Sequence, residues 1–492
     1  MPDSPNDPMR NSHANSSTVV LGGLVHRLWL IVASPLGSLD ADEAVTALMA
    51  QRFLSLEPSV FFWGQHYGGT IDAMVTAPVV WLTGPSVAGP KLVAVAFFAV
   101  SCVLTWRIGR HLFDDQTGIV AACLLWVASP AVVWWSTKTR GFYGAGLVLA
   151  LAATLIVVRL SGRAAPERDA DRRDRRDMAA LGLVTGLAWW TTPIAFFVIV
   201  PVLVDGAWRR RDLWRFSGLA AATFVVGGLP WWVFNVSRGF ASLHSPVTAD
   251  MSYLERLDGF VSVVIPMLAG FRTIYTADWA VPPLVAAAAG AGVLLVAWRT
   301  RHRASLLLAV LVGYPILAAV SPTTEFVGEP RYAYFLAPFL ALLLAHAVSR
   351  GLGRFAVVVP GALLVVTIVG TVALARFGAD SRHWDLAAPA TGPLVAALHR
   401  DGIDHLRAEY WLAYRLTYES DLVAAPTESS RDRTIDDEVR DSGSPVVAFY
   451  RGSAAERRFA HDTGSARVIY EDDDYVVYVV APDDGRRDPR SE

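Results

Sequence analysis

Three carboxylates fall within six residues, Ser38-Leu39-Asp40-Ala41-Asp42-Glu43, where an apolar stretch gives way to a polar one. A carboxylate placed there can take a proton from an attacking hydroxyl. Asp40 and Asp42 could also ligate a divalent cation, since hard ions favour clustered carboxylates. Helix mechanics offers a second explanation of the same pattern. Asp40 has the spacing to cap the following helix, Glu43 to complete a capping box, and a first turn favours an acid at Asp42. The spacing alone is compatible with both.

A second group is basic and aromatic. In Ser136-Thr137-Lys138-Thr139-Arg140-Gly141-Phe142-Tyr143, Lys138 and Arg140 can hold a phosphate or snorkel to lipid headgroups. Arg331, after Glu325 and Glu329 and before Tyr332, suits a phosphate or a loop ion pair. Lys91 opens an apolar run, and Lys91 and Lys138 are the only lysines. His66 and Tyr67, in the turn Phe61 to Gly69, are placed for substrate contact or for the turn itself. Arg27 lies inside an apolar stretch, where an ionisable residue calls for a structural partner.

The elements that must position these residues are mostly apolar helices. The chain has 492 residues, 53% hydrophobic and 18% charged, with a mean hydropathy of +0.38, against about 25% charged in soluble domains. An ordinary soluble enzyme is excluded, and nothing indicates a nucleic-acid partner. Apolar runs long enough to cross a ~30 Å hydrocarbon layer fall at 19–36, 90–108, 117–135, 142–160, a broken pair within 178–205, 216–236, 280–298, 304–320, 332–349 and 355–375. The expectation is an α-helical polytopic membrane protein of about 11 transmembrane helices. Arginine clusters around Arg107, Arg159 to Arg176, Arg209 to Arg215, Arg299 to Arg303 and Arg350 to Arg354 mark cytoplasmic loops. Both flanks of 178–205 carry them, so that stretch must enter and return, broken near Thr191-Thr192-Pro193. The N-terminus is then cytoplasmic, and the loop 37–89 and the C-terminal body are extracytoplasmic.

Residues 1–18 read as a disordered tail, 19–376 as the membrane domain, 377–482 as an α/β domain and 483–492 as a second tail. From Asp380 onward the net charge is −9, against +7 for the remainder, which sets the C-terminal body apart as water-exposed. In the loop 37–89, segments 44–54 and 71–82 read as interfacial helices. The pairs Trp134-Trp135, Trp189-Trp190 and Trp231-Trp232 read as an interfacial aromatic belt. Trp411, Tyr414 and Tyr418 share a helix face, read as a packed one. Cys102 and Cys123 are the only cysteines, so no disulfide framework exists.

Asp-Glu after the first span, a long loop with two amphipathic helices around Gly64-Gln65-His66-Tyr67-Gly68, the knot 136–143 and the Arg331-Tyr332 pair resemble the C-type (GT-C) glycosyltransferase superfamily. The likeness is to glycosyltransferase family 39, the protein O-mannosyltransferase and aminoarabinose-transferase branch, and its bacterial relatives. It covers about 19–375, and Glu409 to Arg415 also looks like the tail domain of those relatives. The resemblance implies an inverting transferase in the bacterial plasma membrane. It would move a sugar from a polyprenyl-phosphate carrier to an acceptor hydroxyl of a glycan, lipid or protein on the extracytoplasmic face. Asp42 maps to the general base, beside Asp40 and Glu43; Arg140, Lys138, Arg331 and Lys91 are candidates for the donor phosphate; His66, Tyr67, Tyr143 and Tyr332 for substrate contact. No cofactor is implied beyond a divalent cation at Asp40 and Asp42.

Departures narrow the expectation. The Lys-Pro-Pro run of aminoarabinose transferases is replaced here by Gln65-His66-Tyr67-Gly68, and the long central domain of eukaryotic mannosyltransferases is missing. A transporter or flippase is the alternative from another class, but it would favour broken segments in two related halves. A non-catalytic membrane scaffold is the third.

Overall fold

The structure is a computed structural model and describes residues 8–162, 168–244, 250–321, 330–353, 356, 358–463 and 466–480. The chain separates into two compact units. The first comprises residues 1–33, 66–72 and 91–374, the second 34–65, 73–90 and 375–492. Loop residues 34–65 and 73–90 therefore group with the C-terminal body rather than with the membrane helices.

The first unit is a helical membrane body. Every expected crossing is helical, and the chain is a multi-pass membrane protein. Among the described residues, five helices are each long and apolar enough to cross a bilayer, or seven when two sharply bent pairs count as one span each. The first helix, Pro8–Val32, reaches back into the stretch expected to be disordered, starting at a proline, which suits a first helical turn; residues 1–7 and 483–492 lie outside the described residues. The expected break in 178–205 is present: Arg168–Thr191 ends, Thr192 caps a short turn at Pro193, and Phe196–Arg209 follows. The run 117–135 is not one span. It divides into Asp115–Trp126 and Pro130–Trp135, because Ser129 caps a new helix and Pro130 cannot donate a backbone hydrogen bond. The run 216–236 likewise bends by 69° between Ser217–Gly227 and Leu229–Ser237. Helices Arg168–Thr191 and Ser217–Gly227 touch backbone to backbone: a Cβ at Gly186 would lie 2.1 Å from the Phe224 carbonyl oxygen.

The tryptophan pairs pack largely inside the protein. Trp134, Trp135, Trp190 and Trp231 are buried, Trp189 and Trp231 pack edge to face at 5.5 Å, and Trp134 and Trp135 lie under cations. Arg27 is fully buried with the structural partners expected. Its Nε donates to Ser136 Oγ at 2.9 Å, and its guanidinium lies 4.0 Å from the Trp126 ring and 5.0 Å from Phe98.

The second unit contains the loop helix Ala41–Leu54, residues 73–83 of the helix Ile71–Thr83, and a five-stranded sheet. Strands β1 (His405–Ala408), β2 (Val423–Pro426), β3 (Val446–Tyr450), β4 (Arg467–Glu471) and β5 (Tyr475–Val479) lie in the order β2-β1-β3-β5-β4. β1 runs parallel to β2 and β3; β5 is antiparallel to β3 and β4. β3 is covered on both faces, which its unbroken apolar sequence reflects. Leu394, Leu398, Leu406, Leu412 and Leu416 fill one core; Val447, Phe449, Val476 and Tyr478 meet Phe459 on the other side. Helix Tyr410–Glu419 packs on Ala41–Leu54, with Tyr414 and Tyr418 buried as expected for its aromatic face.

Candidate functional site

The acidic triplet divides by role. Asp40 caps Ala41–Leu54: its Oδ1 accepts the Glu43 N–H at 2.9 Å, and Glu43 Oε2 accepts the Asp40 N–H at 3.2 Å. Both side chains are buried. The expected capping box is thus present, and it occupies two of the three acids. Asp42 remains half-buried, its side chain 20% exposed. Its Oδ1 accepts the Tyr410 phenol at 2.7 Å and lies 3.4 Å from Arg431 Nη2.

Arg431 stands in the loop between β2 and helix Arg433–Ser442. Its N–H donates to Tyr414 Oη at 2.6 Å, its Nε donates to Tyr410 Oη, and its Nη1 reaches the Trp63 carbonyl at 3.4 Å. The guanidinium lies 5.3 Å from the centroid of the Phe62 ring and 5.3 Å from that of Tyr410. Gly64 permits this approach. Its φ is +72°, and a Cβ there would come 2.9 Å from the Arg431 Cα. Burial, then the adjacent Asp42 charge, pushes the Tyr410 phenol far above its ordinary range, so it stays a donor. Burial works against the Arg431 charge, but Asp42 and Tyr410 outweigh it and raise its pKa.

In the membrane unit, the knot 136–143 gathers three of the predicted residues. Trp134 O accepts both the Thr137 N–H at 3.0 Å and its hydroxyl at 2.7 Å, and Lys138 N–H donates to Trp135 O at 3.0 Å. Lys138 and Arg140 are buried, with Lys138 Nζ 5.3 Å from the Trp134 ring and the Arg140 guanidinium 5.1 Å from Trp135. Such burial does not suit a headgroup anchor, which keeps its charge in water. Tyr143 meets Trp135 edge-on at 5.8 Å and Phe335, in the turn Pro330–Leu336, at 6.5 Å. Phe98, Ser101, Trp135, Ser136, Lys138 and Tyr143 line a small cavity.

The other predicted residues are more scattered. Arg331 is half-buried with its guanidinium 5.0 Å from the Tyr332 ring, and Tyr332 O accepts the Tyr314 hydroxyl. Lys91 is buried near the start of Ala88–Leu112. His66 and Tyr67 are exposed; the His66 ring lies 5.5 Å from Phe234 and Tyr67 6.2 Å from Phe142.

Sequence reasoning missed three residues. Tyr410 and Arg431 carry no local signal. Asp72, a lone acid opening the apolar segment 71–82, did. It is buried, its Oδ2 accepts the Ala145 N–H at 3.3 Å, and burial pushes its carboxyl up to about 8. Among the described residues no three His, Cys, Asp or Glu side chains gather as a metal would require. Asp40 Oδ1 serves the cap and Asp42 Oδ1 faces a guanidinium, a donor set that does not fit a divalent ion.

Solved structures share the fold. The crystal structure of ArnT from Cupriavidus metallidurans bound to undecaprenyl phosphate matches with a TM-score of 0.66 and 15% identity, over 95% of this chain and 98% of that one. The Archaeoglobus fulgidus oligosaccharyltransferase in complex with Zn and sulfate matches at 0.54 and 12%, over 91% and 68%. The arabinofuranosyltransferase AftD from mycobacteria matches at 0.50 and 15%, over 97% of this chain and 40% of that one. The sequence matches no family model and no curated protein. The fold is therefore the one that ArnT and these two transferases share, as the motifs implied.

Proposed function

We propose that this chain is an inverting glycosyltransferase that takes a sugar from a polyprenyl-phosphate carrier on the extracytoplasmic face and delivers it to an acceptor hydroxyl. The observation that carries the reading is the division of labour among the three acids. Asp40 and Glu43 are consumed by the capping box, while Asp42 is held, among the described residues, through Oδ1. Its Oδ2 is the oxygen for the acceptor proton. That proton passes to Asp42 as the acceptor oxygen bonds to the anomeric carbon. The bond from that carbon to the carrier's phosphate oxygen breaks with its electron pair, and the lipid phosphate leaves. Arg140 and Lys138 neutralise the charge that develops there, with Arg331 and Lys91 as further cations and His66, Tyr67, Tyr143 and Tyr332 as substrate contacts. The fold shared with ArnT bound to undecaprenyl phosphate supports the lipid-carrier class. No step needs a metal.

The test uses radiolabelled polyprenyl-phosphate mannose, glucose and arabinose, with cell-envelope extract as acceptor. Asp42→Asn keeps the shape and removes the basicity, so transfer should fall by about 100-fold or more, with folding and undecaprenyl phosphate binding retained. Normal transfer by Asp42→Asn, with loss in Asp40→Asn, would assign the base to the other carboxylate.

A further inference from the structure

We infer that Arg431 of the C-terminal body, together with Tyr410, is the positioning residue for Asp42, and so that the α/β body is part of the transfer machinery rather than an appendage. The inference rests on Asp42 being the base. A carboxylate on the first turn of a helix is free to rotate about its side-chain bonds, and an acceptor hydroxyl needs one oxygen at a fixed place. Here Oδ1 is tied twice, by the Tyr410 phenol at 2.7 Å and by Arg431 Nη2 at 3.4 Å, which leaves Oδ2 as the oxygen presented.

Arg431 is itself restrained from several sides. Each of its guanidinium nitrogens has a different partner: Nε has Tyr410 Oη, Nη1 the Trp63 carbonyl and Nη2 Asp42. Its guanidinium carbon lies 5.3 Å from the centroids of both the Phe62 and the Tyr410 rings, and its own N–H donates to Tyr414. A planar fork meets the three oxygens from three separate nitrogens, whereas an ammonium would have to meet them all from one. The absence of a side chain at Gly64 provides the space for the loop that carries it. The loop helix thus carries an acid whose Oδ1 is held by the Tyr410 helix and the loop after β2, and the Phe62-Trp63-Gly64 turn holds Arg431. A structural ion pair would not need three separate anchors around the one acid that the cap leaves over.

The experiment is a double-mutant cycle in the full chain in detergent, with the same labelled donors and envelope extract. Arg431→Ala should lower the maximal transfer rate by about 10- to 100-fold, the scale of a misplacement near 1 Å, while donor KM and undecaprenyl phosphate binding stay unchanged. Arg431→Lys should recover part of the rate. Tyr410→Phe, which keeps the ring, should lower the rate in the same sense and covers the case in which Arg431→Ala folds poorly. In an Asp42→Asn background, Arg431→Ala should have no further effect, because it acts through Asp42. Full additivity, or an unchanged rate in both Arg431→Ala and Tyr410→Phe, would overturn the inference while leaving Asp42 as base. An unchanged rate in Asp42→Asn would instead remove the base assignment on which it rests.

Discussion

Glu409 precedes the tyrosine that holds Asp42, and its burial makes the stability of the C-terminal unit depend on pH. The side chain is 5% exposed, its Oε2 accepts the Ser453 hydroxyl at 2.6 Å, and burial, with Glu428 and Glu456 adding repulsion, pushes its carboxyl up to about 7 from 4.5. Between those values the folded chain keeps a proton that the unfolded chain has released, so stability falls as pH rises. The contribution is fully present below about pH 4.5 and is gone above about pH 7. At about 1.4 kcal/mol per pH unit the difference is on the order of 3 kcal/mol. Glu409→Gln preserves the shape and an acceptor for Ser453 but carries no charge. The variant should match the parent near pH 4.5 and exceed it at pH 8, by roughly 2–4 °C in apparent Tm for each kcal/mol. Thermal unfolding of the detergent-solubilised chain at both pH values measures this. Identical pH dependence in parent and variant would show that Glu409 is ionised in the folded chain and that the burial argument is wrong.

Three further outcomes are expected. Arg140→Lys should weaken binding of undecaprenyl phosphate and Arg140→Ala should weaken it by roughly 10- to 150-fold, the loss of a charge-assisted bond of ~1.5–3 kcal/mol; unchanged affinity in a direct binding assay would return Arg140 to a structural role. Gly64→Ala should cost about 1–2 kcal/mol from its left-handed backbone alone and more from displacement of Arg431, read as a lower apparent Tm together with slower transfer. A reporter fused after Arg376 should be active on the extracytoplasmic side; activity confined to the cytoplasm would invert the topology.

What could be read from the sequence was local. The capping box needs only Asp40 and Glu43 at a three-residue spacing, and the break at Thr192-Pro193 follows from a capping hydroxyl before a residue without an N–H. The tail's alternation of helix and strand was readable because each element carries its own period; the helix Arg433–Ser442, almost wholly polar, was not. Ser129-Pro130 carried the same signal as Thr192-Pro193, but the long apolar run around it suggested one continuous span. Arg431 and Tyr410 were out of reach for a different reason: their partner lies 368 positions from Tyr410, and no spacing rule spans such a distance. Asp72 did announce itself as a lone acid opening an apolar segment, but its donor is a backbone amide, so its partner had no sequence signature.

That separation also has a consequence in time. Asp42 leaves the ribosome early, but Tyr410, which holds its Oδ1, follows 368 residues later. At ~5–20 residues per second the interval is roughly 20–80 s. A truncated or still-growing chain can therefore insert its spans and expose the acid, yet it lacks the grip that aims it. Order around the Asp42 carboxylate therefore arises only after Tyr410 and Arg431 have been made and have folded.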